Sequence, residues 1–173
     1  MIASGSSEKL FDHTNWEILR HLQADARLSY HEVGRRVGLS APAVAERVRR
    51  LEEEGVITGY HAQVDTAKVG LPITAFIRTT CLRNRCIHTH ASSGDFPEVL
   101  EYHRVTGNNC GVFKVCVSSV RHLEDLIDRL SAYELPTTSI VLSTPWMRHV
   151  IDNEQERDAE AKREGLQSSR RGE

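Results

Sequence analysis

The sequence lacks any apolar run long enough to cross a membrane. A spanning helix needs roughly 18 or more consecutive apolar residues, and no stretch of this chain approaches that length. Residues 1–9 are rich in Ser and polar groups, and they lack the apolar core that a signal peptide carries. We therefore expect a cytoplasmic protein that makes no membrane contact, with a disordered tail over residues 1–9.

Cysteine is scarce, and the spacings typical of zinc sites are absent. The four cysteines are expected to be free thiols, because a reducing compartment disfavours disulfides. Cys86, His88 and His90 are close in sequence, but no C-x2-C or H-x3-H pair accompanies them, so we expect no metal or cofactor. Cys116 alternates with valines, which favours a structural role in a strand. Cys110 has no patterned base near it, and we predict no catalytic residue.

The net charge of −2 gives no reason to expect nucleic acid binding, whereas the distribution of charge does. Between Arg27 and Arg50 the chain has six arginines and two glutamates, a local excess of four positive charges. Residues 52–54 are all glutamates and cancel most of this excess over the whole N-terminal region. The positive charge is therefore concentrated in residues 27–50 and is not a property of the whole chain.

Residues 29–50 have the pattern of two capped helices joined by a tight turn. Ser29, followed three residues later by Glu32, predicts a capping box at the start of a short helix. Gly38 supplies the left-handed conformation that ends this helix. Ser40 then predicts the start of a second helix, with Pro42 in its first turn, where a missing N–H costs nothing.

The second helix has one apolar stripe, formed by Val44, Val48 and Leu51, which leaves its arginines outside the stripe. Two helices joined by a Gly turn, the second one basic, are typical of a helix-turn-helix that binds DNA. We predict that double-stranded DNA is contacted by Ser29, Tyr30, His31, Ser40, Ala41, Pro42, Ala43, Glu46, Arg47, Arg49 and Arg50. The arginines are expected to contact phosphates, and base edges are expected nearer the start of the helix. A merely solvated basic face, and simple capping by residues 29–31, remain the alternatives.

The flanking segments predict how this motif is completed. Asp12 is suited to cap a first helix that runs to about Ala24. Residues 56–65 have an extended pattern, and Gly59 allows a hairpin-like turn. Three helices and a short ribbon predict a winged helix-turn-helix domain over residues 10–66, followed by a linker over 67–72.

From residue 73 the hydrophobic period changes to two, which indicates strands. Strands are predicted over residues 73–82, 99–106, 112–117 and 139–144. A helix bearing Leu123, Leu126, Ile127 and Leu130 is predicted before the last strand, and residues 84–96 are predicted to connect the first two strands as a poor helix. This order predicts an α+β fold whose second domain, residues 73–150, is ferredoxin-like βαββαβ. Residues 151–173 are predicted to be a charged tail, helical at most to about residue 164.

Both halves together resemble one family. The motifs that carry the resemblance are residues 18–27, 37–40, 47–57, 97–101, 105–107 and 137–142. They resemble the Lrp/AsnC (leucine-responsive regulatory protein) family of bacterial and archaeal transcription regulators, over about residues 10–148. The resemblance implies a homodimer or higher homo-oligomer whose second domain binds an amino acid or a similar small molecule. The family's effector loop is usually acidic, whereas here it is Gly107-Asn108-Asn109-Cys110.

On this resemblance, the predicted ligand-binding residues are His103, Arg104, Thr106, Gly107, Asn108, Asn109 and Cys110. Because His103 and Arg104 alternate faces of a strand, only one of them can face a pocket. The Asn and Gly residues equally suit a plain hairpin turn, so the two interpretations of this loop stay open.

These expectations combine into one functional hypothesis and two alternatives. The hypothesis is a sequence-specific, nucleoid-associated transcription regulator that responds to an amino acid and is not an enzyme. The first alternative is a siroheme-type tetrapyrrole decarboxylase of the same two-part fold, which would use His88, His90 or His103. The second is an architectural DNA-binding protein that has no ligand, an option favoured by the two Asn residues in the loop.

Overall fold

The structure is a computed structural model that describes residues 10–81, 86–147 and 150–153. The chain forms two compact units: one holds the described residues up to Ala62 and from Trp146 onward, and the other is Gln63–Pro145. Residues 1–9 and most of the predicted charged tail, from 154 onward, lie outside the described residues. In the part of the chain that is described, no helix has the length and apolar character to span a bilayer.

The first unit contains three helices, which begin at the residues that the sequence predicts. They are α1 (His13–Ala24), α2 (Tyr30–Val37) and α3 (Ala41–Glu53). The Asp12 carboxylate accepts the Asn15 N–H at 2.7 Å, and the Ser40 hydroxyl accepts the Ala43 N–H at 3.4 Å. These side chains satisfy N–H groups that have no partner inside a helix. Gly38 adopts φ 73° after α2 and Gly55 adopts φ 69° after α3, and both predicted helix ends are confirmed.

The core of this unit is made by the apolar stripes of the three helices. The buried residues are Ile18 and Leu22 of α1, Val33 of α2, and Val44 and Val48 of α3. Leu51, the third residue of the predicted stripe, is also fully buried. The stripe is thus confirmed, and the arginines of α3 lie outside it.

The capping box predicted at α2 is only half formed. The Ser29 hydroxyl accepts the Glu32 N–H at 3.2 Å, as expected. The Glu32 carboxylate instead pairs with Arg35 and Arg36, each at 2.8 Å. Hydrogen bonds from these two guanidinium groups lower the pKa of Glu32 to about 2. Two cations one turn further along the helix therefore compete successfully with a single backbone N–H for this carboxylate.

Gly34, in the middle of α2, allows a close approach at the turn into α3. The Leu39 N–H donates to the Gly34 carbonyl at 2.9 Å. A Cβ built on Gly34 would lie 2.4 Å from the Leu39 carbonyl oxygen, so the turn would have to move. The backbone of the turn, rather than helix propensity, decides which residue this position accepts.

We expect Gly34→Ala to lower the free energy of unfolding by about 1–3 kcal/mol, the usual cost of overpacking. Helix propensity alone predicts the opposite, a gain of about 1 kcal/mol. Urea unfolding measures the difference, and Gly94→Ala is the matched control, because a Cβ there has only an ordinary contact at 3.7 Å. A stabilised Gly34→Ala protein would contradict this interpretation of the turn.

The ribbon predicted over residues 56–65 is wrong for this chain: the segment forms no strand pairing with other described residues. Its first two residues are used elsewhere, because the Val56 and Ile57 N–H groups both donate to the Leu51 carbonyl, at 2.8 and 3.0 Å. These bonds satisfy the carbonyl end of α3. As far as its described residues show, this unit is therefore a helical helix-turn-helix in which no wing is formed.

The second unit is a four-stranded antiparallel sheet with one helix packed on it. The elements are β1 (Ile73–Cys81), β2 (Val99–Arg104), β3 (Gly111–Val117), α4 (Val120–Ser131) and β4 (Glu134–Ile140). The strand order is β2-β3-β1-β4, which matches the predicted ferredoxin-like plan. The core lies between the sheet and α4 and includes Ala75, Ile77, Phe113, Val115, Leu123, Leu126 and Leu130.

The connector between β1 and β2 is the poor helix that the sequence predicts. Its described part contains two single-turn 3-10 helices, Ile87–Thr89 and Ser93–Asp95. Ile87 and Phe96 are buried in the core of the second unit. Short turns anchored by two apolar side chains thus take the place of a continuous α-helix.

The last strand begins and ends earlier than the predicted range of residues 139–144. Strand β4 pairs with β1 from Glu134 opposite Cys81 to Ile140 opposite Ala75. It contains Pro136, a residue that marks strand ends in most sequence patterns but is tolerated on an edge strand. The predicted bounds were wrong because a proline within a segment argues against a strand, and Pro136 lies near the start of β4.

The sheet face away from α4 is exposed, and we call it the open sheet face. Its apolar residues include Phe76, which is 42% exposed, and Leu135, which is 57% exposed. The other residues on this face include Arg78, Thr80, Val112, Lys114, Thr137 and Ser139. This face therefore combines apolar side chains with charged and hydroxyl groups.

The expectation that all four cysteines are free thiols is wrong. Cys81 and Cys86 form a disulfide, whereas Cys110 and Cys116 are free. Cys116 is buried in β3 beside the Thr74 hydroxyl, 3.4 Å away, in the structural role that was predicted.

Candidate DNA interface and ligand loop

The residues predicted to contact DNA lie at the start of α2 and along α3. Those that are exposed are Ser29, Tyr30, His31, Ser40, Pro42, Glu46, Arg49 and Arg50. Ala41, Ala43 and Arg47 are half-buried. The small residues in the first turn of α3 leave its backbone accessible, so the approach of a large polyanion meets little steric obstruction there.

Arg49 and Arg50 are held over the surface of α3 by acidic neighbours. Glu46 pairs with Arg49 at 2.8 Å and with Arg50 at 2.9 Å, and Arg49 also pairs with Glu53. The hydrogen bonds from Arg49 and Arg50 lower the pKa of Glu46 to about 2. Exposed pairs of this kind contribute little to stability. The guanidinium groups are therefore free to exchange a carboxylate for a phosphate at small cost.

Arg47 has a different environment, which the sequence did not indicate. Its Nη1 donates to both oxygens of Asp12, at 3.0 and 2.7 Å, and to Asn15 Oδ1 at 2.8 Å. Burial raises the pKa of Asp12, but hydrogen bonds from Arg47 and from the Asn15 amide outweigh this effect and lower it overall. Arg47 thus links α3 to the residue that caps α1. No local pattern shows this contact, because its partner lies 35 residues earlier in the chain.

We expect Arg47→Ala to lower the free energy of unfolding by about 1 kcal/mol, since it removes three charge-assisted hydrogen bonds from partly exposed groups. The same variant should leave the salt dependence of DNA binding nearly unchanged, because the guanidinium is already occupied inside the unit. Urea unfolding and binding titrations at several salt concentrations measure the two effects. A normal stability together with a reduced salt slope would instead restore Arg47 as a phosphate contact.

The predicted ligand loop connects β2 to β3, and it is bound to the end of β1. The Cys110 N–H donates to the Thr79 carbonyl at 2.7 Å, and the Cys81 N–H donates to Cys110 Sγ at 3.0 Å. The Thr80 hydroxyl donates to the Asn108 carbonyl at 3.4 Å. Gly107 has φ 103°, a conformation that favours glycine. The loop is therefore a hairpin turn that is hydrogen-bonded to the end of β1, and it contains Asn108 and Asn109.

The remaining predicted ligand residues surround this turn without converging on one point. His103 is exposed and lies 3.1 Å from the Glu101 carboxylate. It is opposite Val112, whereas Arg104 is opposite Gly111, so the two side chains leave the sheet on different faces, as predicted. Thr106 is exposed. The ligand assignment of these residues stays a prediction.

Sequence reasoning missed two buried polar groups beside the loop, the hydroxyl of the half-buried Tyr102 and the carboxylate of Glu134. Tyr102 stacks on Phe113, with ring centroids 4.4 Å apart, and its hydroxyl has no partner among the described residues. Glu134 is 1% exposed. The sequence could have indicated Glu134 as a glutamate that faces the core from a strand. The predicted strand began at residue 139, however, so Glu134 was not assigned to it.

Comparisons with known proteins match both units. Residues 11–52 match the family model of the AsnC-type helix-turn-helix domain. Residues 74–151 match the model of the Lrp/AsnC ligand binding domain.

Several relatives match across most of the chain. The HTH-type transcriptional regulator YezC of Bacillus subtilis is 47% identical over 133 residues, which are 77% of this chain and 94% of YezC. The solved structure of LrpC from B. subtilis is 31% identical with a TM-score of 0.75, and the match covers 80% of this chain and 99% of LrpC. A feast or famine regulatory protein from Mycobacterium tuberculosis, complexed with L-methionine, is 32% identical with a TM-score of 0.73, over 82% of this chain and 99% of that one.

Proposed function

The chain belongs to the Lrp/AsnC family of transcriptional regulators, and from this premise we propose how its two domains act. Helix α3 binds double-stranded DNA in the major groove, two copies of the second domain pair, and an amino acid or related molecule acts at that domain. The domain limits proposed are residues 10–66 for the DNA-binding domain, 67–72 for the linker and 73–150 for the second domain. We propose that the protein acts at the nucleoid, in the cytoplasm.

The observation that carries the DNA proposal is the exposed basic face of α3 beside a capped turn. Ser40 fixes the start of the helix, and Arg49 and Arg50 stand on the surface in exchangeable pairs. Ala41, Pro42 and Ala43 offer few side-chain hydrogen bonds to base edges. We therefore propose that part of the sequence preference comes from the shape and bending of the duplex.

The open sheet face supports a homodimer. Phe76 and Leu135 on this face are about half exposed, and Leu142, just after β4, is 96% exposed. Pairing two such faces would remove apolar surface from water, and a stable interface needs roughly 800 Å² from each partner. A two-fold dimer would then present two copies of α3, so half-sites should be separated by one helical turn or a multiple of it.

The effector proposal is supported by the family model of the second domain and by the L-methionine complex of the mycobacterial relative. In this chain, Asn108 and Asn109 stand in the loop where the family usually has acids. A ligand ammonium group would thus meet amide and carbonyl oxygens instead of a carboxylate, which weakens the attraction. Such a ligand changes transcription only if it binds one assembly state better than another.

An enzyme is not supported. The relatives are named as transcriptional regulators, and the histidines that a decarboxylase would need are dispersed. His88 and His90 are exposed, and His103 is paired with Glu101. The chain is a regulator rather than an enzyme.

The proposal is tested by selecting genomic duplex fragments with the purified chain, with and without each of the twenty amino acids. We expect enriched fragments to contain paired half-sites, and one or a few amino acids to change the enrichment. The same amino acids should raise the melting temperature, since a ligand at 100 times its Kd adds about 2.7 kcal/mol of stability. Failure to enrich any fragment would contradict the DNA proposal. Enrichment that no amino acid alters, together with no thermal shift, would instead favour an architectural DNA-binding protein.

A further inference from the structure

Three cysteines meet at one end of the sheet in the second unit. The Sγ atoms of Cys81, Cys86 and Cys110 all lie within 4.8 Å of one another, and each side chain is half-buried. Cys81 ends β1, Cys86 follows in the connector, and Cys110 ends the loop before β3. Three segments that are separate in sequence therefore place a soft sulfur ligand at one point, which we call the three-cysteine cluster.

A buried carboxylate completes the surroundings of this cluster. Glu134 begins β4 opposite Cys81, and its Oε1 lies 3.5 Å from Cys81 Sγ and accepts the Ile87 N–H at 2.9 Å. Its Oε2 is buried and has no hydrogen-bond partner among the described residues. A buried carboxylate oxygen without a partner is costly. A cation at the cluster would remove that cost.

The hydroxyl of Tyr102 points to the same conclusion. It is a second buried oxygen without a partner in the described part of the chain. It lies beside Gly111, the residue that follows Cys110, because a Cβ built on Gly111 would be 3.0 Å from this hydroxyl oxygen. Two buried polar groups without partners beside three sulfur atoms indicate a site that the protein atoms alone do not satisfy.

We propose that, when Cys81 and Cys86 are reduced, this cluster binds one thiophilic divalent cation, with Zn²⁺ as the expected ion. Its ligands are the three thiolates and the Glu134 carboxylate. Zinc prefers four ligands at tetrahedral positions, with Zn–S distances of about 2.3 Å, which sets the sulfur atoms about 3.8 Å apart. To reach that separation, the bonded sulfur atoms of Cys81 and Cys86 have to move apart when the disulfide is reduced. Thiolate ligands also select zinc over magnesium or calcium.

The disulfide and the cation are mutually exclusive states of this site. Closing the Cys81–Cys86 bond takes two electrons from two thiolates and removes two of the four ligands, so the cation leaves. Hydrogen peroxide serves as the two-electron oxidant: it accepts the electrons and two protons and becomes two water molecules. A dithiol reverses the step by returning two electrons and forming its own disulfide. This proposal does not depend on the proposed function in transcription.

The sequence pattern did not reveal this site because the ligands do not have zinc-finger spacing. Cys81 and Cys86 are five residues apart, and the third and fourth ligands come from a different loop and a different strand. His88 and His90, which follow Cys86 closely, are exposed and are not part of the cluster. Tertiary proximity rather than sequence proximity defines it.

The test uses the full chain, reduced and freed of metal, and titrated with Co²⁺ and then Zn²⁺ without oxygen. We expect one equivalent of Co²⁺ to give thiolate charge-transfer absorption and the visible bands of a tetrahedral site, and Zn²⁺ to displace it. Cys110→Ser should bind more weakly and lose about one third of the charge-transfer intensity, since one of three thiolates is gone. Glu134→Gln should keep that intensity and alter the visible bands.

Cys116→Ser is the matched control, because Cys116 is a free buried thiol outside the cluster. It should bind the ion as the unaltered chain does. If Cys110→Ser fails to fold, judged by circular dichroism, native mass spectrometry of the unaltered chain decides: one Zn²⁺ per reduced chain and none per disulfide chain. The proposal is overturned if the reduced chain binds no ion, if the disulfide chain binds it equally, or if Cys116→Ser loses as much as Cys110→Ser.

Discussion

Replacing Phe76 with Asp is expected to convert a dimer into a monomer in sedimentation equilibrium. Phe76 is 42% exposed on the open sheet face, so the isolated chain can accommodate a carboxylate there with little loss of stability. In the proposed dimer, the same substitution brings one carboxylate from each protomer into the interface, where the removal of a charged group from water is strongly unfavourable.

The loss of the dimer should lower DNA affinity by about 100-fold or more, because two linked contacts bind far more tightly than one. The control is Val120→Asp, which changes an exposed valine at the start of α4, on the other side of the sheet. This control should remain dimeric and bind DNA normally. A dimeric Phe76→Asp protein would show that the open sheet face is not the interface.

Replacing Arg49 or Arg50 with Ala is expected to reduce the salt dependence of binding to a mixed-sequence duplex. Each phosphate contact contributes about 0.9 to the slope of log K against log salt concentration. The slope should fall by about this amount for each arginine that contacts a phosphate, and the loss of affinity should be similar for all sequences. Stability should be unchanged, because both side chains are exposed and their pairs with Glu46 are local.

Arg20→Ala is the control for this experiment. Arg20 is also exposed and makes an i,i+3 pair, with Glu17, but it lies on α1, outside the predicted DNA surface. Its removal should leave the slope unchanged. If all three variants lose the same small amount, the effect is one of overall charge, and α3 is not the contact surface.

The parts of the fold that the sequence predicts are those governed by local chemistry. Asp12 and Ser40 cap helices through groups three residues away, and Gly38 provides a left-handed turn that few other residues allow. The apolar periods locate the core faces of the helices and strands for the same reason. Each of these features depends on neighbours within about two turns of helix.

The parts that sequence reasoning missed depend on distant partners. Arg47 is bound by Asp12, which lies 35 residues earlier in the chain. The Glu134 carboxylate is buried only because β4 lies beside β1. Even the local capping box at Glu32 failed, since Arg35 and Arg36 offered stronger donors. Patterns predict which groups are available, and the tertiary fold decides between competing partners.

Pro136 has a consequence for how copies of the chain associate. It lies in β4, the strand at one border of the sheet, and it has no N–H to offer to a further strand. Another chain that added itself there would lose a ladder bond, so open-ended fibre growth from that border is disfavoured.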